Sequence, residues 1–175
     1  MSTDNLIGGI ERREIRLADY DPSWPESYRR HAQAIKEALA EGLLAIEHVG
    51  STSVPNLAAK PIIDIVVVVA DSADEGSYAP ALARAGYQLR VREPAWHEHR
   101  MFRSPALNVH VHVFSKACGE VTRMLAFRDQ LRQSPEDRLR YEEIKRELAA
   151  REWPDMNAYA NAKTEIVESI LARRP

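Results

Sequence analysis

Two histidines, one aspartate and a run of hydroxyls carry most of the chemistry this sequence offers. Gly50, Ser51, Thr52 and Ser53 form a polar turn between two apolar stretches. A glycine lets a ligand approach the backbone closely, and successive N–H groups in a turn make a concavity suited to an anion. Eleven residues beyond the turn's last serine, Asp64 interrupts the apolar run PIIDIVVVVA. An unpaired charge there is costly, so the carboxylate needs a partner or a cation. An acid beside a phosphate-sized nest suits metal-assisted phosphoryl or nucleotidyl transfer. The plainer alternative is that Asp64 pairs with a nearby base such as Lys60 or a histidine.

His110 and His112 supply a second feature. The segment LNVHVHVF alternates, with Val109, Val111 and Val113 on one face and the two histidines on the other, so both rings can converge on one ion. His48, just before the turn, is a further candidate ligand. Imidazoles mixed with one carboxylate favour Zn, Mn, Fe or Ni over Mg, whose preferred ligands are oxygens. Alternating histidines also occur as half-buried polar residues bonded to their neighbours. His97 and His99 read as loop residues and His31 as part of an exposed helix face, all three at the surface. Lys60, at the mouth of the apolar run, is placed to meet a phosphate as a point charge. Lone Cys118 reads as a small packed residue rather than a nucleophile.

Regular elements must hold these groups. Residues 14–18 read as a short edge strand. Asp21 reads as a helix N-cap with Pro22 behind it, and the helix places Trp24, Tyr28, Ile35 and Leu39 on one face before stopping at Gly42. Residues 43–49 read as a first central strand. Residues 61–70 read as a second, buried on both faces because its Ile/Val content is nearly continuous. A helix at 78–85, strands at 87–92 and 99–103, and the alternating strand at 107–114 follow. Three helices at 119–133, 135–151 and 155–172 close the chain, with Ser134 capping the second. Trp24, Tyr28 and Phe127 fit packing roles. The order predicts an α/β (α+β) domain, a mixed sheet with flanking helices and a C-terminal helical layer. Strands 43–49, 61–70 and 107–114 are expected as neighbours, with Asp64 and His112 on one sheet face.

The chain has 175 residues, enough for a single domain over residues 14–175, and residues 1–13 read as a flexible leader. Apolar residues at 45% and charged residues at 29% give an ordinary globular balance. A net charge of −2 exerts no global pull on nucleic acid, so no nucleic-acid partner is expected. The apolar run is too short to span a membrane, the start lacks a secretory signal pattern, and one cysteine suits a reducing compartment. The expected location is the cytoplasm.

HVGSTSVP followed by AAKPIIDI resembles the signature of the GrpB-like family in the nucleotidyltransferase superfamily. YDPSWP at residues 20–25, VHVHVF at 109–114, LAFRDQLR at 125–132, YEEIK at 141–145 and the segment 159–163 extend the resemblance over most of the chain. It implies a nucleotidyltransferase-like fold and a nucleoside triphosphate over the Gly50-Ser51 turn. Gly50, Ser51, Thr52, Ser53 and Lys60 would face phosphate, with Asp64, Ser51 and Lys60 catalytic. Asp64 would hold a divalent metal (Mg or Mn, possibly Zn), with His48, His110 and His112 as further ligands. Arg128, Lys145 and Lys163 recur at family-matching positions and would serve as anion contacts, although charged helix faces are usually just solvated. The implied reaction is metal-dependent transfer of a nucleotidyl group to an unknown small-molecule acceptor. Nucleotidyltransferases usually carry a second acid two residues after the first, and Val66 stands there. That departure keeps two alternatives open: a catalytically inactive nucleotide- or phosphate-binding regulatory module, of the kind suggested by relatives joined to dephospho-CoA kinase, and a histidine-metal hydrolase on the same scaffold.

Overall fold

Branched residues dominate the run Ile63–Val69, and they fit a pleated surface buried on both sides. This strand, β2, lies inside the sheet. It pairs antiparallel with β1 (Ala45–Val49) and parallel with β5 (Val109–Ser115). Strands β3 (Gln88–Glu93) and β4 (His99–Arg103) form an antiparallel hairpin, and β4 also pairs with β5. The resulting five-stranded mixed sheet has the order β1-β2-β5-β4-β3. The three strands expected as neighbours are neighbours. The computed structural model describes residues 5–9, 15–154 and 156–173.

Helices cover both faces. On one, α1 (Trp24–Leu39) and α2 (Ala79–Arg84) bury Trp24, Ile35, Leu39 and Leu82 against Ile63, Ile65, Val67, Val109, Val111 and Val113. Each such side chain removed from water contributes roughly 1.5–3 kcal/mol before entropy is counted. On the other, α3 (Gly119–Gln133) seals Val49, Val66, Val68 and Phe114 under Val121, Met124 and Leu125, with Cys118 packed alongside. Helices α4 (Pro135–Ala149) and α6 (Thr164–Leu171) extend that layer around Val54, Leu57, Leu131, Tyr141, Ile166 and Ile170, and the short α5 (Met156–Asn161) precedes α6. Among the described residues no helix is long and apolar enough to cross a membrane.

Several boundaries differ from the sequence reading. Helix α1 starts at Trp24 behind Ser23, and Asp21 instead closes the preceding turn by accepting from the Ser23 N–H at 2.8 Å. The single helix expected at 155–172 is two, α5 and α6, broken at Ala162–Lys163 where the Lys163 N–H reaches back only to the Ala160 carbonyl. No glycine or proline marks this break, so the sequence carried no local signal for it; residue 155 lies outside the described residues. The edge strand expected at 14–18 is reduced to one antiparallel bridge between Ala18 and Ala59, and residue 14 lies outside the described residues. Within the segment read as a leader, Leu6 bridges Val91 and the Arg90 guanidinium donates to the Ile7 and Gly9 carbonyls.

Candidate functional site

Strand register decides which side chains meet. Asp64 stands opposite His110 and Val66 opposite His112 across the parallel pair, so Asp64, His110 and His112 share the face covered by α3. His110 Nδ1 lies 3.4 Å and His112 Nε2 3.5 Å from Asp64 Oδ1. Ligand atoms of the three residues all lie within 4.8 Å of one another, and they form the one metal-competent His/Cys/Asp/Glu cluster among the described residues. Both distances are long for a strong hydrogen bond. A tetrahedral ion with bonds of about 2.1 Å separates neighbouring donors by about 3.4 Å, whereas octahedral geometry at that bond length brings them to about 3.0 Å. The donor types suit a transition metal such as Zn better than Mg, and the two separations from Asp64 are of tetrahedral size. Burial opposes ionisation of Asp64, while a proton on the facing nitrogen of His110 or His112 favours it by hydrogen bonding and charge and pulls the carboxyl below its ordinary range.

Gly50 has a second reason to be glycine. Its φ of +69° and ψ of −177° belong to a region almost closed to other residues. A Cβ built there would stand 3.1 Å from the Asp64 Cβ and 3.2 Å from its Cγ, with the Oδ2 oxygen closer still. The turn thus makes room for the carboxylate. Thr52 and Ser53 are buried and turned inward: Thr52 Oγ1 donates to the Ile62 carbonyl at 3.0 Å, and Ser53 Oγ to the Gly50 carbonyl at 2.6 Å. Of the three hydroxyl residues, Ser51 is the one that lines the cleft without being buried, and its Oγ accepts from Lys145 Nζ at 3.2 Å.

His48 does not join the cluster. It stands opposite Ile65, on the other sheet face, stacked on Tyr28 at 4.6 Å with Nε2 3.2 Å from Thr52 Oγ1. Burial depresses its imidazole to about 4. Arg128 is also elsewhere, donating to Glu47, Asp129 and the His48 carbonyl. Two residues assigned to the surface are not there. His31 is half-buried with Nδ1 2.7 Å from the Tyr87 hydroxyl. His99 is 3% exposed, with Nδ1 2.7 Å from Glu93 Oε2 and Nε2 3.0 Å from His112 Nδ1. Counting by twos along β4 puts His99 on the face of Met101, which pairs with His112. That signal was available once residues 99–103 were read as a strand.

The cluster forms part of the lining of a cleft of about 550 Å³ between the sheet and the C-terminal helices. Lys60, Lys145 and Lys163 line it together. Lys60 and Lys163 lie 4.9 and 4.6 Å from the Tyr159 ring centre, and Lys145 4.8 Å from that of Tyr141. Lys145 is 2% exposed and also donates to the Ala58 carbonyl. Burial, reinforced by the charge of Lys163, pulls its ammonium down to about 7. Lys163 is lowered too, by burial against the opposing pull of Asp64. Ammonium groups crowded together and stripped of water are what an incoming polyanion would relieve. The sequence reading missed Tyr141, Tyr159, Arg103 and Arg123 in the lining. Tyr141 and Lys145 are four apart on α4, a spacing that puts them on one helix face and was readable.

A family model described as GrpB protein matches residues 14–173. The protein named UPF0157 protein BH1888, from Halalkalibacterium halodurans, is 52% identical over 159 residues, covering 91% of this chain and 82% of that one. The crystal structure of conserved protein GrpB from Enterococcus faecalis superposes with a TM-score of 0.77 at 35% identity, covering 90% of this chain and 98% of that one. A dephospho-CoA kinase from Mycolicibacterium paratuberculosis is 28% identical over 180 residues, covering 88% of this chain and 44% of that one. This chain belongs to the GrpB family.

Proposed function

We propose that this GrpB-family chain is a metal-dependent enzyme that transfers a nucleotidyl group from a nucleoside triphosphate to a small-molecule acceptor. The observation that carries the reading is one carboxylate and two imidazoles at metal-ligand spacing in a cleft also lined by three lysines. Asp64, His110 and His112 would hold a single divalent ion, which when bound would act as a Lewis acid on a phosphoryl oxygen. Lys60, Lys145 and Lys163 would hold the triphosphate and offset the charge that gathers on its oxygens. Ser51 would orient one phosphate through its hydroxyl. An acceptor oxygen then bonds to the α-phosphorus, the α–β oxygen bond breaks, pyrophosphate leaves and the acceptor's proton passes to water.

Val66 argues against a second metal, since it offers no ligand and is fully buried beneath α3 rather than open to the cleft. The donor set of two histidines and one aspartate equally suits a hydrolase, in which water replaces the acceptor. Thermal-shift screening of nucleotides with Zn, Mn and Mg ranks ligands, because whatever binds the folded state raises its apparent stability. Incubation with α-labelled nucleotide then separates the outcomes. Label on an added acceptor supports transfer, and free nucleoside monophosphate supports hydrolysis. Binding without turnover supports a regulatory module, and no nucleotide binding under any metal condition removes the proposal.

A further inference from the structure

Glu93 sits at the end of β3 and His99 at the start of β4, opposite one another in the hairpin register, and neither lines up with any part of the signature around Gly50. Both are almost entirely buried, at 4% and 3% exposed. Their contacts form one continuous chain: Glu93 Oε2 to His99 Nδ1 at 2.7 Å, His99 Nε2 to His112 Nδ1 at 3.0 Å, and His112 Nε2 to Asp64 Oδ1 at 3.5 Å. The His99 ring is held flat between neighbours. Phe114 stacks on it at 4.8 Å and 23°, His112 lies beside it nearly coplanar at 5.2 Å and 16°, and Trp96 meets it edge-on at 5.3 Å.

With Glu93 ionised and burial keeping the His99 ring neutral, donor and acceptor rules order the protons along this chain. An ionised carboxylate only accepts, so the His99 proton is on Nδ1. In the neutral ring Nε2 is then an acceptor, and the bond to His112 requires a proton on His112 Nδ1. A neutral His112 is left with a bare Nε2 lone pair directed at the Asp64 carboxylate. Two acceptors face each other at a separation that one cation would bridge.

We propose that Glu93 and His99 are positioning residues that set His112 in the Nδ1–H form and lock its ring, so that Nε2 is presented as a metal ligand. This role deepens the metal-centre reading and rests on it. Outer hydrogen-bond partners of ligating histidines commonly contribute 10–100-fold in metal affinity. Two buried side chains, of which only His99 touches the cleft wall, would thus help decide whether the cleft holds metal at all.

Two measurements on the full chain test it. Nitrogen-15 NMR of the metal-free protein reads the tautomer of His112 directly: the Nδ1–H form is expected, and it should be lost or mixed in Glu93→Gln. Calorimetric titration of Zn and Mn into wild type, Glu93→Gln and His99→Phe should show about 10–100-fold weaker binding in both variants, with circular dichroism confirming their fold. His99→Phe keeps a ring against Phe114 but strands the Glu93 carboxylate, so the double variant Glu93→Gln/His99→Phe serves if either single variant folds poorly. Measurable and equal affinity in all three proteins overturns the proposal, as does an Nε2–H tautomer in wild type. If wild type binds neither metal, the metal-centre reading falls while the tautomer still decides the relay. Nδ1–H in wild type, lost in Glu93→Gln, then upholds the positioning role, and any other pattern overturns it.

Discussion

Replacing Gly50 with alanine should damage the cleft through one carbon atom. Two costs add. The backbone at φ +69° and ψ −177° is nearly exclusive to glycine, and holding alanine there costs about 1–3 kcal/mol. The new Cβ would also press on the Asp64 Cβ and Cγ, at 3.1 and 3.2 Å, from inside the packed turn, an overpacking cost of about 1–3 kcal/mol if nothing moves. The carboxylate is the softest neighbour and will swing, trading part of the second cost for lost alignment with His110 and His112. The expected sum is about 2–4 kcal/mol, measured by urea denaturation, with metal affinity down at least about tenfold by calorimetry. Gly86 supplies the control. It also has positive φ, at +94°, but a Cβ there meets nothing within 4 Å. Gly86→Ala should cost about 1–2 kcal/mol and leave metal affinity unchanged. Equal loss in the two variants, or a Gly50→Ala protein that binds metal as wild type does, would refute the reasoning.

Three further outcomes rest on contacts elsewhere in the fold. Lys145 ordinarily titrates near 10.5 and in the fold near 7, so between those values the unfolded chain holds a proton the folded chain has released. Stability should therefore rise with pH from about 7 toward 10.5, by up to about 1.4 kcal/mol per unit, and Lys145→Met should abolish that contribution; identical slopes in urea denaturation at pH 7, 8 and 9 would contradict it. Val66→Asp restores the acid that the family resemblance leads one to expect, yet the site lies sealed under α3, so the variant should lose several kcal/mol and gain no activity. A thermal melt matching wild type would show that α3 yields more easily than its packing implies. Ser134→Ala removes the hydroxyl that accepts from the Asp137 N–H at 3.1 Å and should cost about 1 kcal/mol by urea denaturation.

Much of the frame was legible because it rests on local chemistry. Alternation put His110 and His112 on one face, and the branched run announced β2 as an interior strand. Strand neighbours follow from those two patterns, and the meeting of Asp64 with both histidines follows from the register. What sequence could not supply depends on parity and on distant partners. His48 is next to the Gly-Ser turn, yet one residue of offset in β1 turns it to the opposite face. Arg128 recurs at a family-matching position, yet Glu47 and Asp129 claim it. Thr52 and Ser53 look like ligand hydroxyls but are bonded to backbone carbonyls, because a tight turn buries polar groups that must find partners within it. The Glu93–His99 pair was hidden for a different reason. Its members are joined by a hairpin whose turn residues, His97 and Glu98, have positive φ without a glycine to signal it.

The central claim is that one cation sits among Asp64, His110 and His112, beneath phosphate held by Lys60, Lys145 and Lys163. Crystals soaked with Zn or Mn and a non-hydrolysable nucleoside triphosphate, with diffraction recorded on either side of the metal's absorption edge, test it most directly. The expected result is a single anomalous peak bonded to Asp64, His110 Nδ1 and His112 Nε2, with triphosphate density reaching the three lysines. Nucleotide bound elsewhere, or a fully formed lysine-bound triphosphate with no anomalous peak at the three ligands, would contradict it.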